Sequence, residues 1–322
     1  MRNLLPSLVF LAASAVTSAH PGHDGSITNS VSTGSTCGSS SLPAPRVSIT
    51  EEGNCRVIRA NGIPNHPVGQ FPGPGNPNTI SAQNYNFRMP LHPTTNATFT
   101  ELRHQAIGVA LNGIPFDPGT AETWKNDSRS GWHIEAIVGK RKGMGLDQNN
   151  AHVQPNGAYH YHAVPTGLVQ VLGGDTNRMT LLGYAADGFP IYGPLGYSVA
   201  IDPASVLKEL KPGWQLKQGI RPSGASGPGG RYDGTYREDY EFVSGSGDLD
   251  EANGRVGVTP EYPEGTYYYV ATDSFPFYPR ELKGTPDKSF QRQGPPPQGQ
   301  MQGPGGPGKR MEPPPFGGPP PR

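Results

Sequence analysis

The chain has 322 residues, with 26 basic and 26 acidic side chains and a formal net charge of zero. No Lys/Arg stripe runs along it, so nucleic-acid binding driven by phosphate contacts has no electrostatic basis. Its 45 glycines and 37 prolines predict many loops, and the apolar residues concentrate in short strand-like runs between them.

The chain opens on Arg2, an apolar run from Leu4 to about Val16, and Thr17-Ser18-Ala19. This reads as a secretory signal peptide over residues 1–19, with Ala13-Ser14-Ala15 as a rival cleavage site. The run is too short to span a bilayer and no later segment qualifies, so no transmembrane segment is expected and the protein is read as secreted. Cleavage before His20 would expose His20-Pro21-Gly22-His23-Asp24, whose terminal amine and imidazole can chelate copper. The Gly-rich stretch behind it gives no sign of a rigid site, and a solvated start is the plainer reading. Residues 20–45 are Ser/Thr/Gly-rich and read as a flexible leader. Cys37 and Cys55 are the only cysteines. In an oxidising compartment they are expected to pair, stabilising by about 3 kcal/mol on the chain-entropy view; two unpaired thiols are the alternative.

Residues 46–285 read as one mainly β domain of pseudo-repeated hairpins. Arg46–Glu51 and Cys55–Ala60 flank the turn Glu52-Gly53-Asn54. Further strands are expected over Asn84–Met89, Ala106–Leu111, Ala158–Val164, Met179–Ala185, Thr235–Val243 and Thr266–Thr272. Asp202-Pro203 resembles an N-cap with Pro at N1 and predicts a short helix through Leu210. Trp132–Gly139 and Gly167–Leu172 predict a turn or two of helix each. Asn96-Ala97-Thr98 and Asn126-Asp127-Ser128 are glycosylation sequons. Residues 286–322, dominated by Pro, Gly and Gln, bury too little apolar surface to offset chain entropy and read as a disordered tail.

Two stretches echo each other. Leu146-Asp147-Gln148-Asn149-Asn150-Ala151-His152-Val153 followed by Gly157-Ala158-Tyr159-His160-Tyr161-His162 aligns with Leu249-Asp250-Glu251-Ala252-Asn253-Gly254-Arg255-Val256 followed by Gly265-Thr266-Tyr267-Tyr268-Tyr269-Val270. Leu, Asp, Val, Gly and the flanking tyrosines agree, while His152, His160 and His162 face Arg255, Tyr268 and Val270. Asp187-Gly188-Phe189-Pro190-Ile191-Tyr192 likewise aligns with Asp273-Ser274-Phe275-Pro276-Phe277-Tyr278, so the internal repeat is read as 146–192 against 249–278. Asn61-Gly62-Ile63-Pro64 and Asn112-Gly113-Ile114-Pro115 repeat the same turn idea, since Asn-Gly and Asp-Gly supply the positive φ of tight hairpins.

If the copies share a backbone, the fold does not require histidine at these places. Residues i and i+2 of a strand share a face, so His160 and His162 point together, and the turn at Pro155-Asn156-Gly157 brings His152 back beside them. A His-x-His pair with a third His suits zinc or copper, and three protein ligands with an open position fit a catalytic better than a structural site. Calcium is excluded by its preference for oxygen. Asp147 reads as a turn residue, not a ligand, because Asp250 repeats it in the copy without histidines. His104 and His133 are candidate fourth ligands or ligand-orienting groups. Tyr159 and Tyr161 are candidate substrate-positioning residues.

Tyr159-His160-Tyr161-His162 together with Gly183-Tyr184-Ala185-Ala186-Asp187-Gly188-Phe189-Pro190-Ile191-Tyr192-Gly193 resembles the YHYH-domain family. Residues 108–119 and 249–255 are similar to that family too, so the resemblance covers roughly residues 105–280. It implies a secreted or envelope protein and supplies no reaction. Relatives often carry Cys near Asn149 or Asn150 and near Ala252; this chain does not, which removes any thiolate role there.

No Gly-x-Ser-x-Gly elbow, phosphate loop, His-Glu-x-x-His helix or partnered catalytic Cys is present. Two readings remain. One is a secreted metal-binding protein, or a metal-dependent enzyme activating water or dioxygen. The other is a structural or adhesive surface protein that contacts extracellular glycan or matrix through Tyr-rich hairpins.

Overall fold

A computed structural model gives the fold and describes residues 42–102, 105–137, 144–174 and 177–291. It is mainly β. Strands β1 (Val47–Glu52), β2 (Cys55–Ala60) and β3 (Tyr85–Pro90) form an antiparallel sheet in that order. β4 (Thr100–Glu101) leads into β5 (Gly108–Ala110), β6 (Pro115–Phe116), β7 (Ala151–Val153) and β8 (Tyr159–Tyr161). The single α-helix among the described residues, α1 (Thr166–Val171), follows, and then β9 (Leu181–Ala185) and β10 (Pro190–Tyr192). Two small hairpins come next: β11 (Leu195–Tyr197) pairs with β12 (Leu207–Glu209), and β13 (Trp214–Leu216) with β14 (Tyr240–Phe242). β15 (Gly254–Gly257), β16 (Thr266–Val270) and β17 (Glu281–Leu282) complete the strands, β17 pairing with β4.

The core is an eight-stranded sheet of order β15-β16-β10-β9-β5-β6-β8-β7. Read outward from its centre, both halves have the same plan: an antiparallel hairpin (β5–β6 or β9–β10), a parallel neighbour (β8 or β16), and an antiparallel edge strand (β7 or β15). The two central hairpins turn alike. Gly113 N donates to Ala110 O and Ala110 N to Ile114 O, as Gly188 N does to Ala185 O and Ala185 N to Phe189 O. At the centre, β5 and β9 cross at Gly108 and Gly183. A Cβ on Gly108 would stand 2.4 Å from the Tyr184 carbonyl oxygen, and one on Gly183 2.2 Å from that of Val109. Only glycine permits this approach.

The hairpins within 146–162 and 249–270 pair in the same register: His152 faces His160 as Arg255 faces Tyr268. The second half of the expected repeat is corrected. Asp187–Tyr192 matches Asn112–Pro115 and its hairpin, not 273–278, which makes no strand. The expected helix over 202–210 is absent as well. Asp202 caps a turn, its Oδ1 accepting from Ala204 N at 2.9 Å, and 207–209 is β12. Asp-Pro starts a turn as readily as a helix. Thr235–Val243 yields a strand only from Tyr240, because the 3-10 turn Arg237–Asp239 wraps around buried Asp239, which takes the Gly234 and Tyr236 amides and Arg221. At Trp132–Gly139 the backbone forms bridges at His133 and Ile134 and then a turn, with 138–139 outside the described residues. The remaining expected strands and the 167–172 helix appear with ends moved by three residues at most, Ala158–Val164 shortening to Tyr159–Tyr161.

The expected signal peptide over 1–19 and the expected leader over 20–45, apart from residues 42–45, lie outside the described residues, as does the tail beyond 291. The domain nevertheless runs past 285. Phe290 is buried and stacks on Phe87 with ring centroids 4.7 Å apart, and Ser289 Oγ donates to Arg88 O. Cys37 is outside the described residues. Cys55 is free, and no disulfide occurs among the described residues. No helix among them is long and apolar enough to cross a membrane.

Candidate metal centre

His152 lies on edge strand β7, directly across from His160 on β8. His162 follows β8 by one residue and is anchored there by its backbone N–H, which donates to Asn150 O at 2.8 Å. Asn150 offers that carbonyl from a left-handed turn (φ 52°). Asn253, at the same place in the second hairpin, does likewise with φ 56° and receives Val270 N. The three rings converge as an equilateral triangle: each pair of centroids is 4.7 Å apart. One ligand atom from each lies within 4.8 Å of the others. His160 and His162 are buried and His152 is half-buried.

The hydrogen bonds fix which nitrogens face inward. His152 Nδ1 is 2.8 Å from Met144 O, and His160 Nδ1 is 3.3 Å from Ala158 O. A carbonyl only accepts, so both Nδ1 atoms carry a proton, and in the neutral form of each ring Nε2 is the nitrogen with the lone pair. His162 Nε2 lies 3.2 Å from His152 Nε2. Its own Nδ1 is buried without a well-formed hydrogen bond, and the Pro118 carbonyl beside it also accepts from Arg280 Nη1. A neutral imidazole carries one proton. On Nε2 it would leave the buried Nδ1 lone pair unpaired; on Nδ1 it would leave two Nε2 lone pairs facing each other. A cation among the Nε2 atoms removes the conflict, so the residues fit a metal ion. Burial first, then His160, His152 and Arg280, holds the His162 imidazolium well below the usual histidine range. Its ring is neutral, as a ligand must be.

The tyrosines face the other way. Tyr159 and Tyr161 are fully buried in the main core, where burial pushes both phenols up and keeps them protonated. Tyr159 donates to Asp147 Oδ2 at 2.7 Å. Tyr161 bonds His66 Nε2 at 2.6 Å and accepts from Asn112 Nδ2 at 2.9 Å. This placement leaves neither ring any open surface for a substrate. Asp147 belongs to its turn, accepting also from the Gly69 and Asn149 amides. His133 sits apart from the triangle and pairs with Glu238 at 2.8 Å; His104 is outside the described residues. Asn126 is exposed in a turn, whereas the Asn96 amide donates to Thr285 Oγ1 at 3.1 Å.

The sequence did not point to His66, nor to the buried Arg280–Glu135 ion pair (2.7 Å) beside His162. Their partners stand 95 and 145 residues away along the chain, and no local pattern marks such pairs.

No curated protein and no solved structure matches this chain. The family described as YHYH protein matches residues 86–284, which contain the whole eight-stranded sheet and all three histidines. The chain belongs to the YHYH protein family.

Proposed function

We propose that this is a secreted metal-binding protein that holds zinc or copper through Nε2 of His152, His160 and His162. The observation that carries the reading is the inward-facing triangle of imidazoles, two of them fixed in the ligating tautomer by backbone carbonyls. The second hairpin supports it. There Arg255 Nε donates to the Tyr268 hydroxyl at 2.6 Å, so the same backbone closes this face without histidine. Secretion is supported by the apolar segment and small residues at 4–19.

His152 is the member that reaches solvent, so a fourth position would be approached from its side. A bound ion would supply Lewis acidity to a water or dioxygen there. The chain's own residues hold the imidazoles neutral and oriented, and keep water from the His160 and His162 side.

Elemental analysis of protein purified without affinity-tag metal tests this. About one transition-metal ion per chain is expected, lost in His160→Ala/His162→Ala. Metal-free wild type that binds added zinc and copper no tighter than about micromolar would refute the reading. The structural or adhesive reading, with glycan or matrix as partner, would then stand.

A further inference from the structure

A pocket of about 120 Å³ lies near the histidine triangle, yet none of the three histidines lines it. Pro118 and Arg280 form the shared wall: both line the pocket and both neighbour His162. The acidic groups around the pocket are engaged. Glu135 pairs with Arg280 at 2.7 Å, and Asp117 Oδ2 accepts from Gln154 Nε2 at 3.3 Å. Glu101 is not free either.

Arg237 differs. Its half-buried guanidinium lines the pocket and makes no hydrogen bond or ion pair among the described residues. Burial and Arg280 work against its charge, while Glu238, Glu281 and Glu101 favour it without bonding to it. Gln105 lines the same pocket, half-buried, with its amide also unpaired among the described residues. A partly desolvated guanidinium without an acceptor is costly, and its planar fork fits a carboxylate with two parallel hydrogen bonds.

We propose that this pocket binds a small carboxylate, held by the Arg237 fork with the Gln105 amide as second donor. The pocket's size suits a short-chain acid, and the guanidiniums of Arg237 and Arg280 on its lining offset part of the negative charge of the carboxylates there. The site does not depend on metal at the histidines.

Isothermal titration calorimetry of the full chain with acetate, malonate and inorganic phosphate tests it. One saturable carboxylate site is expected, weakened at least ~10-fold in Arg237→Met, because a charge-assisted bidentate contact is lost. Gln105→Ala should weaken it less, and His160→Ala/His162→Ala should leave it unchanged. Arg237→Lys keeps the charge and most of the side chain, so it preserves the fold if Met does not; it too should weaken binding by losing the fork. No saturable carboxylate binding by the wild type, or wild-type affinity in the folded Arg237 variants, overturns the proposal. Preference for phosphate over both carboxylates overturns the assigned class. Loss of binding in the histidine variant overturns the separation of the two sites.

Discussion

The Tyr269 hydroxyl donates to the Asp187 carboxylate at 2.6 Å, and Tyr161 stands in the same relation to Asn112 in the other half of the sheet, accepting from its amide at 2.9 Å. The outer tyrosines repeat the pattern: Tyr159 donates to Asp147 and Tyr267 to Asp250. Each half thus ties two Asx turns, one on the central hairpin and one on the edge hairpin, to alternate tyrosines of one strand. This explains why the Tyr-x-Tyr spacing persists where the histidines do not. The tyrosines build the sheet, and the alternating positions on the other face are left for another use.

Those alternating positions are exchangeable in principle. The triple variant His152→Arg/His160→Tyr/His162→Val installs the residues of the second hairpin. It should stay folded, with a stability change of about 1–3 kcal/mol from repacking, and lose bound metal. Circular dichroism melting alongside metal content decides this. An unfolded variant would mean that the two hairpins differ in more than these side chains.

Removing one phenolic oxygen separates a structural from a substrate role. In Tyr161→Phe, His66 Nε2 and Asn112 Nδ2 each lose a partner in the core. The cost should be about 1–3 kcal/mol, read by denaturant unfolding, with metal content unchanged. A fully stable variant would show that the network contributes nothing to the fold.

The histidine triangle was legible because two independent signals agreed: the His-x-His spacing and a copy lacking all three histidines. The sheet's plan was only partly legible. Asp187–Tyr192 shares more letters with 273–278, through Phe-Pro-x-Tyr, than with Asn112–Pro115. Yet the backbone equates 108–116 with 183–191, where glycine is demanded at the crossing of β5 and β9. A pairing fixed by close backbone approach leaves only Gly, Ala, Gly and Pro as its trace. Asp202-Pro203 misled because its side-chain bond serves a turn and a helix start equally. Phe290 was hidden by the Pro/Gly-rich sequence after it.

Phe290 gives a further test. It is buried and stacks on Phe87, so Phe290→Ala should cost about 3 kcal/mol. Ending the chain at Gly284 should lower the melting temperature at least as much. A truncated chain that melts with the wild type would show that residues 285–291 add nothing to the core.

Asp187 makes the stability depend on pH. Burial pushes its carboxyl up to about 6, against the pull of hydrogen bonds from Tyr269, Gly284 and Phe189. Unfolded, the group titrates near 3.9. Between these values the folded state binds more protons than the unfolded one, so stability falls as pH rises. The contribution is fully present below about pH 4 and is lost as pH passes through about 6, on the order of 2–3 kcal/mol in all. Asp187→Asn cannot titrate. Its single carbonyl oxygen can serve the Tyr269 hydroxyl and Gly284 N, which share Oδ2, but its NH2 then faces the Phe189 N–H that Oδ1 accepts, so it should be less stable at every pH. The difference between wild type and variant should therefore shrink from pH 4 to pH 7. Urea unfolding at four pH values over that range measures it. A constant difference would mean that Asp187 does not titrate there and is held ionised by its three donors.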